Sequence, residues 1–355
     1  MAETLTAQQR IIRLVIKTLG ALPEPAQRLI AGKPVQIDGQ SLLTEVQMAL
    51  RLLNALPGSS FEELPLADAR AQVDAEALIF GDREHVDIVE ELRIPTRAGS
   101  VGARRYQHAA GTRPWGAVTY FHGGGWVVGG LTSTDAVCRF LAARTGLEIY
   151  SVDYRLAPEH PFPAAVHDAV DAFRWVRART APELPVAVAG DSAGGNLSAV
   201  VCAETIADES GRPDFQLLFF PVADASRRTR SYELFADGYF LTAAQMDWYI
   251  DHYLPNPEDR TDPRASPLFA DLNGHPPAHV ALSGFDVLRD EGLAYAEALR
   301  GAGVPTTTQL VEGHIHAFVN ATGVGRHSSR ALAESAQALV RGMGGPAQTS
   351  ASSPR

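Results

Sequence analysis

The hydrophobic pattern changes period twice along the chain. Near the N-terminus, Ile11, Ile12, Leu14, Val15, Leu19 and Leu22 recur at helical spacing over residues 10–22, and Leu42, Leu43, Val46, Leu50 and Leu53 repeat the pattern over 42–53. Two amphipathic helices are predicted, separated by a gap punctuated by Pro23, Pro25, Gly32 and Pro34. From residue 89 the rhythm becomes short apolar or β-branched runs alternating with helical patterns. That rhythm predicts a mainly parallel sheet covered by helices. VEELRIP (89–95) and ARRYQH (103–108) alternate with period two, as an antiparallel pair does. AVTYF (117–121), LEIYSVDY (147–154), PVAVAG (185–190), QLLFFP (216–221) and HVALSG (279–284) are apolar on both faces, as buried parallel strands are. TTTQLV (306–311) is more polar and is expected at the sheet edge. Helices are expected near 134–146, 164–180, 193–208, 290–303 and 327–343.

Residues 227–275 break the alternation with seven aromatics from Tyr232 to Tyr253, followed by the Pro- and Asp-rich stretch NPEDRTDPRASP. An insertion is the simplest reading. The expected organisation is an N-terminal helical segment (1–75), a core in two parts (76–226 and 276–344) interrupted by the insertion, and a disordered tail (345–355).

Composition narrows the class. The chain has 355 residues, 45% hydrophobic and 20% charged, which excludes disordered and coiled-coil proteins. A net charge of -10 argues against a nucleic-acid partner, whose phosphates it would repel. No run approaches the roughly 18 apolar residues of a membrane span, although Arg10, Arg13 and Lys17 beside the first apolar stripe would also suit a helix lying on a membrane surface. Cys138 and Cys202 lack metal-ligand or C-x-x-C spacing. A cytoplasmic protein without metal or cofactor is expected. The polar last strand could pair with a second copy, giving a homodimer.

Chemistry enters through two glycine-rich turns. After PVAVAG comes G-D-S-A-G, residues 190–194, then a helical run. A serine on such a strand-to-helix turn projects its Oγ above the sheet, and flanking glycines let neighbouring chain pass without a Cβ clash. An ordinary turn with Ser192 as a helix cap is the plainer alternative. After AVTYF comes H-G-G-G-W, residues 122–126, whose serial glycines expose backbone N–H groups to an oxygen that gains negative charge. Gly123 and Gly124 are the expected donors, joined by the amide of Ala193. The loop lacks the G-K-[ST] ending of a phosphate-binding loop. His122 is expected to fix this loop by hydrogen bonding. A serine nucleophile needs a histidine base, and the base needs an orienting carboxylate. Asp286 directly follows HVALSG, whereas Asp290 and Glu291 fit the start of the next helix. His314 and His316 follow the last strand, and spacing does not separate them. Asp168 and Asp171 have the spacing of a carboxylate pair on one helix, which a solvated face explains.

Taken together, H-G-G-G-W, Y-R-L-A-P-E-H-P-F-P-A-A (154–165), G-D-S-A-G-G-N-L, S-P-L-F-A-D-L (266–272), D-V-L-R-D-E-G and H-I-H-A-F resemble the hormone-sensitive lipase family of α/β-hydrolases, in its bacterial GDSAG esterase branch. The resemblance covers about residues 89–320. It implies an α/β-hydrolase fold, with an eight-stranded, mainly parallel sheet and a helical cap built from the N-terminal helices and the insertion. It also implies Ser192 as nucleophile, Asp286 as acid, His316 as base and an oxyanion hole at Gly123, Gly124 and Ala193. Val287 and Ala317 stand where Pro and Gly are commoner in the family, and neither removes a chemical group. The implied activity is hydrolysis of short-to-medium acyl esters by water. The rivals are an amidase or lactonase on the same residues and a non-catalytic binding protein of the same fold.

Overall fold

The computed structural model describes residues 5–54, 61–209 and 211–345. The chain begins with α1 (Ala7–Gly20), α2 (Glu24–Ala31), a small hairpin of β1 (Gln36–Ile37) and β2 (Gln40–Ser41), α3 (Thr44–Asn54) and α4 (Leu66–Phe80). The main body follows as β3 (Ile88–Thr96), β4 (Gly99–Gln107), β5 (Ala117–Phe121), α5 (Asp135–Thr145), β6 (Glu148–Asp153), α6 (Ala164–Arg179), β7 (Val186–Asp191), α7 (Ala193–Glu204) and β8 (Phe215–Phe219). After α8 (Arg230–Leu234) and α9 (Ala243–Tyr253) come β9 (Ala278–Phe285), α10 (Arg289–Gly301), β10 (Thr306–Ile315) and α11 (His327–Gly342).

The main sheet runs β10-β9-β8-β7-β5-β6-β4-β3. Pairing is parallel from β10 through β6 and antiparallel at β6–β4 and β4–β3. All of β5, β7, β8 and β9 is buried, which is why these strands read as continuous apolar runs. Alternate side chains serve opposite faces: Phe121 and Val188 join a core with Phe173 of α6 and Leu197 of α7, while Tyr120 and Ala189 join another with Leu141, Tyr295 and Leu339. TTTQLV lies at the sheet edge, as its polarity predicts, and the strand extends to Ile315.

Three differences from the sequence expectations have physical causes. The Pro-rich gap contains a helix, α2, in which Pro25 occupies the first turn, where the missing N–H costs nothing. The Leu66–Phe80 helix escaped the periodicity reading because its apolar residues are spread around its axis rather than gathered into one stripe. Asp168, expected on a solvated face, is fully buried and accepts from the Arg155 amide at 3.0 Å and its guanidinium at 2.8 Å. A buried carboxylate of this kind is tolerated only when paired.

The N-terminal elements are tied to the body by backbone-directed arginines. Arg13 donates to the carbonyls of Leu78 and Gly81 and pairs with Asp82, which also takes Lys17. Arg70 of α4 binds the carbonyls of Val127 and Ala157 and both oxygens of Glu159. No helix among the described residues is long and apolar enough to cross a membrane.

Candidate active site

Four segments at the C-terminal ends of parallel strands converge, the place where open α/β sheets bind ligands. The glycine loop follows β5, Ser192 follows β7, Asp286 follows β9 and His316 follows β10. Ser192 and His316 are each 7% exposed and Asp286 is 1% exposed, so the site is roofed.

Ser192 adopts φ +56°, a left-handed conformation that a non-glycine residue takes only when its surroundings enforce it. The turn is enforced from both sides. Its amide donates to the Phe219 carbonyl at 2.9 Å, and its carbonyl accepts from Asn196 at 3.0 Å. A Cβ on Gly194 would strike the Phe121 carbonyl, and one on Gly190 would strike the carbonyl of Gly194, so β5 can pass only because both are glycine. The Ser192 hydroxyl makes no hydrogen bond among the described residues and caps no helix amide, contrary to the plain capping role.

The two histidines separate clearly. Nδ1 of His316 lies 2.7 Å from Oδ2 of Asp286, whose Oδ1 accepts from the Leu288 amide at 2.9 Å. The imidazole rests on Phe220, ring centroids 4.4 Å apart. His314 instead points to Ser328 at 2.9 Å, and burial pushes its pKa down to about 4. Of the rival carboxylates, Asp290 pairs with Arg289 at 2.8 Å, and Glu291 is buried, accepting from the Ala223 amide at 2.8 Å. Burial raises the pKa of Glu291 well above its ordinary value.

In the glycine loop, Gly124 (φ +107°) and Gly125 (φ +56°) hold angles that favour glycine. Their amides and that of Ala193 make no hydrogen bonds among the described residues. Gly123 is placed differently: it packs on Asp191, and its amide interacts with that carboxylate. His122 fixes the loop as expected, its Nδ1–H donating to the Gly123 carbonyl at 2.7 Å and its ring stacked on Tyr154 at 4.1 Å. Burial lowers its pKa to about 4, so it stays neutral.

Several residues at the site had no assigned role in the sequence. Asp191 is buried, accepts from Tyr120 Oη and from Asn320 Nδ2 at 3.2 Å, and feels the nearby His316. Burial raises its pKa, and these partners pull it back. The ring of Tyr249 in α9 lies directly over Gly125, and Phe61 packs on it at 5.5 Å. The run of aromatics in the insertion was the only sequence signal for Tyr249, and such runs are more often core than pocket. Nothing in sequence distinguished Asn320.

This architecture defines an α/β-hydrolase. A family model for the α/β-hydrolase fold matches residues 118–320. The chain is 40% identical to the carboxylic ester hydrolase LipN of Mycobacterium tuberculosis across 95% of this chain and 93% of that protein. It is 35% identical to an ethyl acetate hydrolase of Pseudomonas putida, covering 77% and 89%. Among solved structures it is similar to an ester hydrolase from the Lake Arreo metagenome, bound to a bipyridine phosphonate derivative, at 39% identity and TM-score 0.79 over 85% of this chain and 99% of that one. A thermostable esterase from Pseudomonas putida gives TM-score 0.82 at 33% identity, covering 87% and 99%. The chain belongs to the α/β-hydrolase family, in its hormone-sensitive-lipase-like branch.

Proposed function

We propose that this protein is a carboxylic ester hydrolase in which Ser192 is the nucleophile, His316 the general base and Asp286 the acid that orients it. The observation that carries the reading is the 2.7 Å contact between His316 Nδ1 and Asp286, at the same end of the parallel strands as a serine held in a strained strand-to-helix turn. Asp286 keeps the proton on Nδ1, which leaves Nε2 as an acceptor. Nε2 takes the Ser192 proton as Oγ attacks the ester carbonyl, then returns it to the departing alcohol. Water attacks the acyl-enzyme by the same route and releases the acid. In free enzymes the bond between nucleophile and base is commonly long and tightens when substrate binds. The unpartnered Ser192 hydroxyl fits that behaviour.

The oxyanion cradle we assign to the amides of Ala193, Gly124 and Gly125. Gly125 replaces the Gly123 of the sequence reading because the Gly123 amide is directed to Asp191. Each donor should lower the barrier by about 3–4 kcal/mol. The preferred substrates are short-to-medium acyl esters. That preference is supported by the enclosed site beneath Tyr249 and by the similarity to an ethyl acetate hydrolase. The test is hydrolysis of a p-nitrophenyl ester series by the parent and by Ser192→Ala. The variant should lose on the order of a million-fold in kcat. Parental turnover by the variant would refute the assignment.

A further inference from the structure

The hairpin β1–β2 belongs by sequence to the N-terminal segment, yet it docks on the two strands that carry Asp286 and His316. The β9–β10 ladder runs in register from Thr306 opposite Ala278 to Val311 opposite Ser283, breaks, and resumes with Ile315 opposite Phe285. Three residues of β10 therefore face one residue of β9, and this bulge re-aims the chain just before His316. Gly313 sits in the bulge at φ +69°, and its backbone groups have left the ladder.

Both groups are satisfied from the N-terminal segment. The Gly313 amide donates to Oε1 of Gln40 at 3.3 Å, and its carbonyl accepts from the Leu43 amide at 2.9 Å. The fit depends on glycine at both strands: a Cβ on Gly284 would occupy the position of Gln40 Oε1, and one on Gly313 would strike the Ser41 carbonyl. The hairpin also holds the other strand end. Asp38, in its turn, binds Arg289 at 2.7 Å, and Arg289 reaches back to the Gly284 carbonyl at 3.4 Å.

We infer that the β1–β2 hairpin, through Gln40, sets the offset between β9 and β10 at which His316 meets Asp286, so that Gln40 is a positioning residue for the acid–base pair. The inference rests on the roles proposed above for His316 and Asp286. It makes the N-terminal segment part of the catalytic alignment as well as a cover.

The experiment uses the full chain with Gln40→Leu, which keeps volume and removes the acceptor, and Gln40→Glu, which keeps an acceptor oxygen. Steady-state kinetics on p-nitrophenyl acetate are combined with the low-field proton resonance of the His316 Nδ1–H. Gln40→Leu should lower kcat about tenfold with little change in KM, the loss expected for one hydrogen bond to a buried backbone amide. Its low-field resonance should shift or broaden, and Gln40→Glu should recover most of both. Unchanged kcat in Gln40→Leu overturns the inference. So does a raised KM with kcat and resonance unchanged, which would make the hairpin a substrate wall. If Gln40→Leu does not fold, Asp38→Asn, which loosens the hairpin's ion pairs with Arg289 and Arg230 and leaves Gln40 in place, is judged by the same criteria. Ser192→Ala runs in parallel: activity there sinks the proposed function, whereas an inactive Ser192→Ala beside an unaffected Gln40→Leu sinks the positioning role alone.

Discussion

Oη of Tyr120 donates a 2.8 Å hydrogen bond to Oδ1 of Asp191, a residue 71 positions further along the chain and adjacent to the serine. Because the same carboxylate takes Asn320 and faces the Gly123 amide, one buried group ties the glycine loop, the serine turn and the segment after His316 together. Replacing Asp191 by Asn keeps the shape and removes the charge. Hydrogen bonds to charged groups are worth ~1.5–3 kcal/mol, so kcat should fall by roughly 10- to 100-fold while the circular dichroism spectrum stays native. Parental kcat in Asp191→Asn would show that the junction is inert.

Asp286→Asn should be far more severe. An amide facing Nδ1 favours the tautomer with the proton on Nε2, which then cannot accept from Ser192. The expected loss in kcat is roughly ten-thousand-fold. Stopped-assay kinetics near neutral pH on a folded variant would detect it, and a loss below about tenfold would contradict the orienting role.

Glycine substitutions should divide by what surrounds them. A Cβ at Gly194 meets the Phe121 carbonyl, whereas one at Gly301, the last residue of α10, meets nothing within 4 Å. Overpacking against rigid backbone costs ~1–3 kcal/mol or more, so Gly194→Ala should melt several degrees lower or fail to accumulate. Gly301→Ala should be neutral, or stabilised by up to about 1 kcal/mol. Thermal melts of the two variants beside the parent make the comparison.

Stability should depend on pH through buried neutral imidazoles. His122 and His314 have folded pKa values near 4 because burial disfavours their charged forms, against an ordinary value of 6.5. Above about pH 6.5 neither state is protonated, and the full stability is present. As pH falls from 6.5 towards 4 the unfolded chain takes up protons that the native state refuses. Stability should drop by up to ~1.4 kcal/mol per pH unit for each histidine. Buried Glu291, its pKa raised, has the opposite pH dependence, so His314→Asn isolates the imidazole contribution. Urea midpoints at pH 7.5 and 5 should converge more closely in that variant than in the parent; equal slopes would rule the effect out.

The strands, their burial on both faces and the polar edge strand were legible because side-chain alternation is a local property that reports directly on a strand's surroundings. The two glycine turns were legible for a related reason: chain that passes another backbone closely or turns through positive φ needs glycine there, as at Gly190, Gly194 and Gly124. The candidate nucleophile, carboxylate and glycine loop could therefore be named from local patterns.

Tertiary structure decided what depends on which distant atoms share a space. His314 and His316 are two residues apart and alike in sequence, and only the bulge at Gly313, braced by Gln40 from more than 270 residues away, turns one towards Asp286 and the other towards Ser328. The packing of Gly123 against Asp191 and the burial of Asp168 against Arg155 depend likewise on distant partners. Periodicity reports how a residue's own element is buried, whereas a hydrogen-bond partner is chosen by packing between elements, and no local pattern encodes that choice.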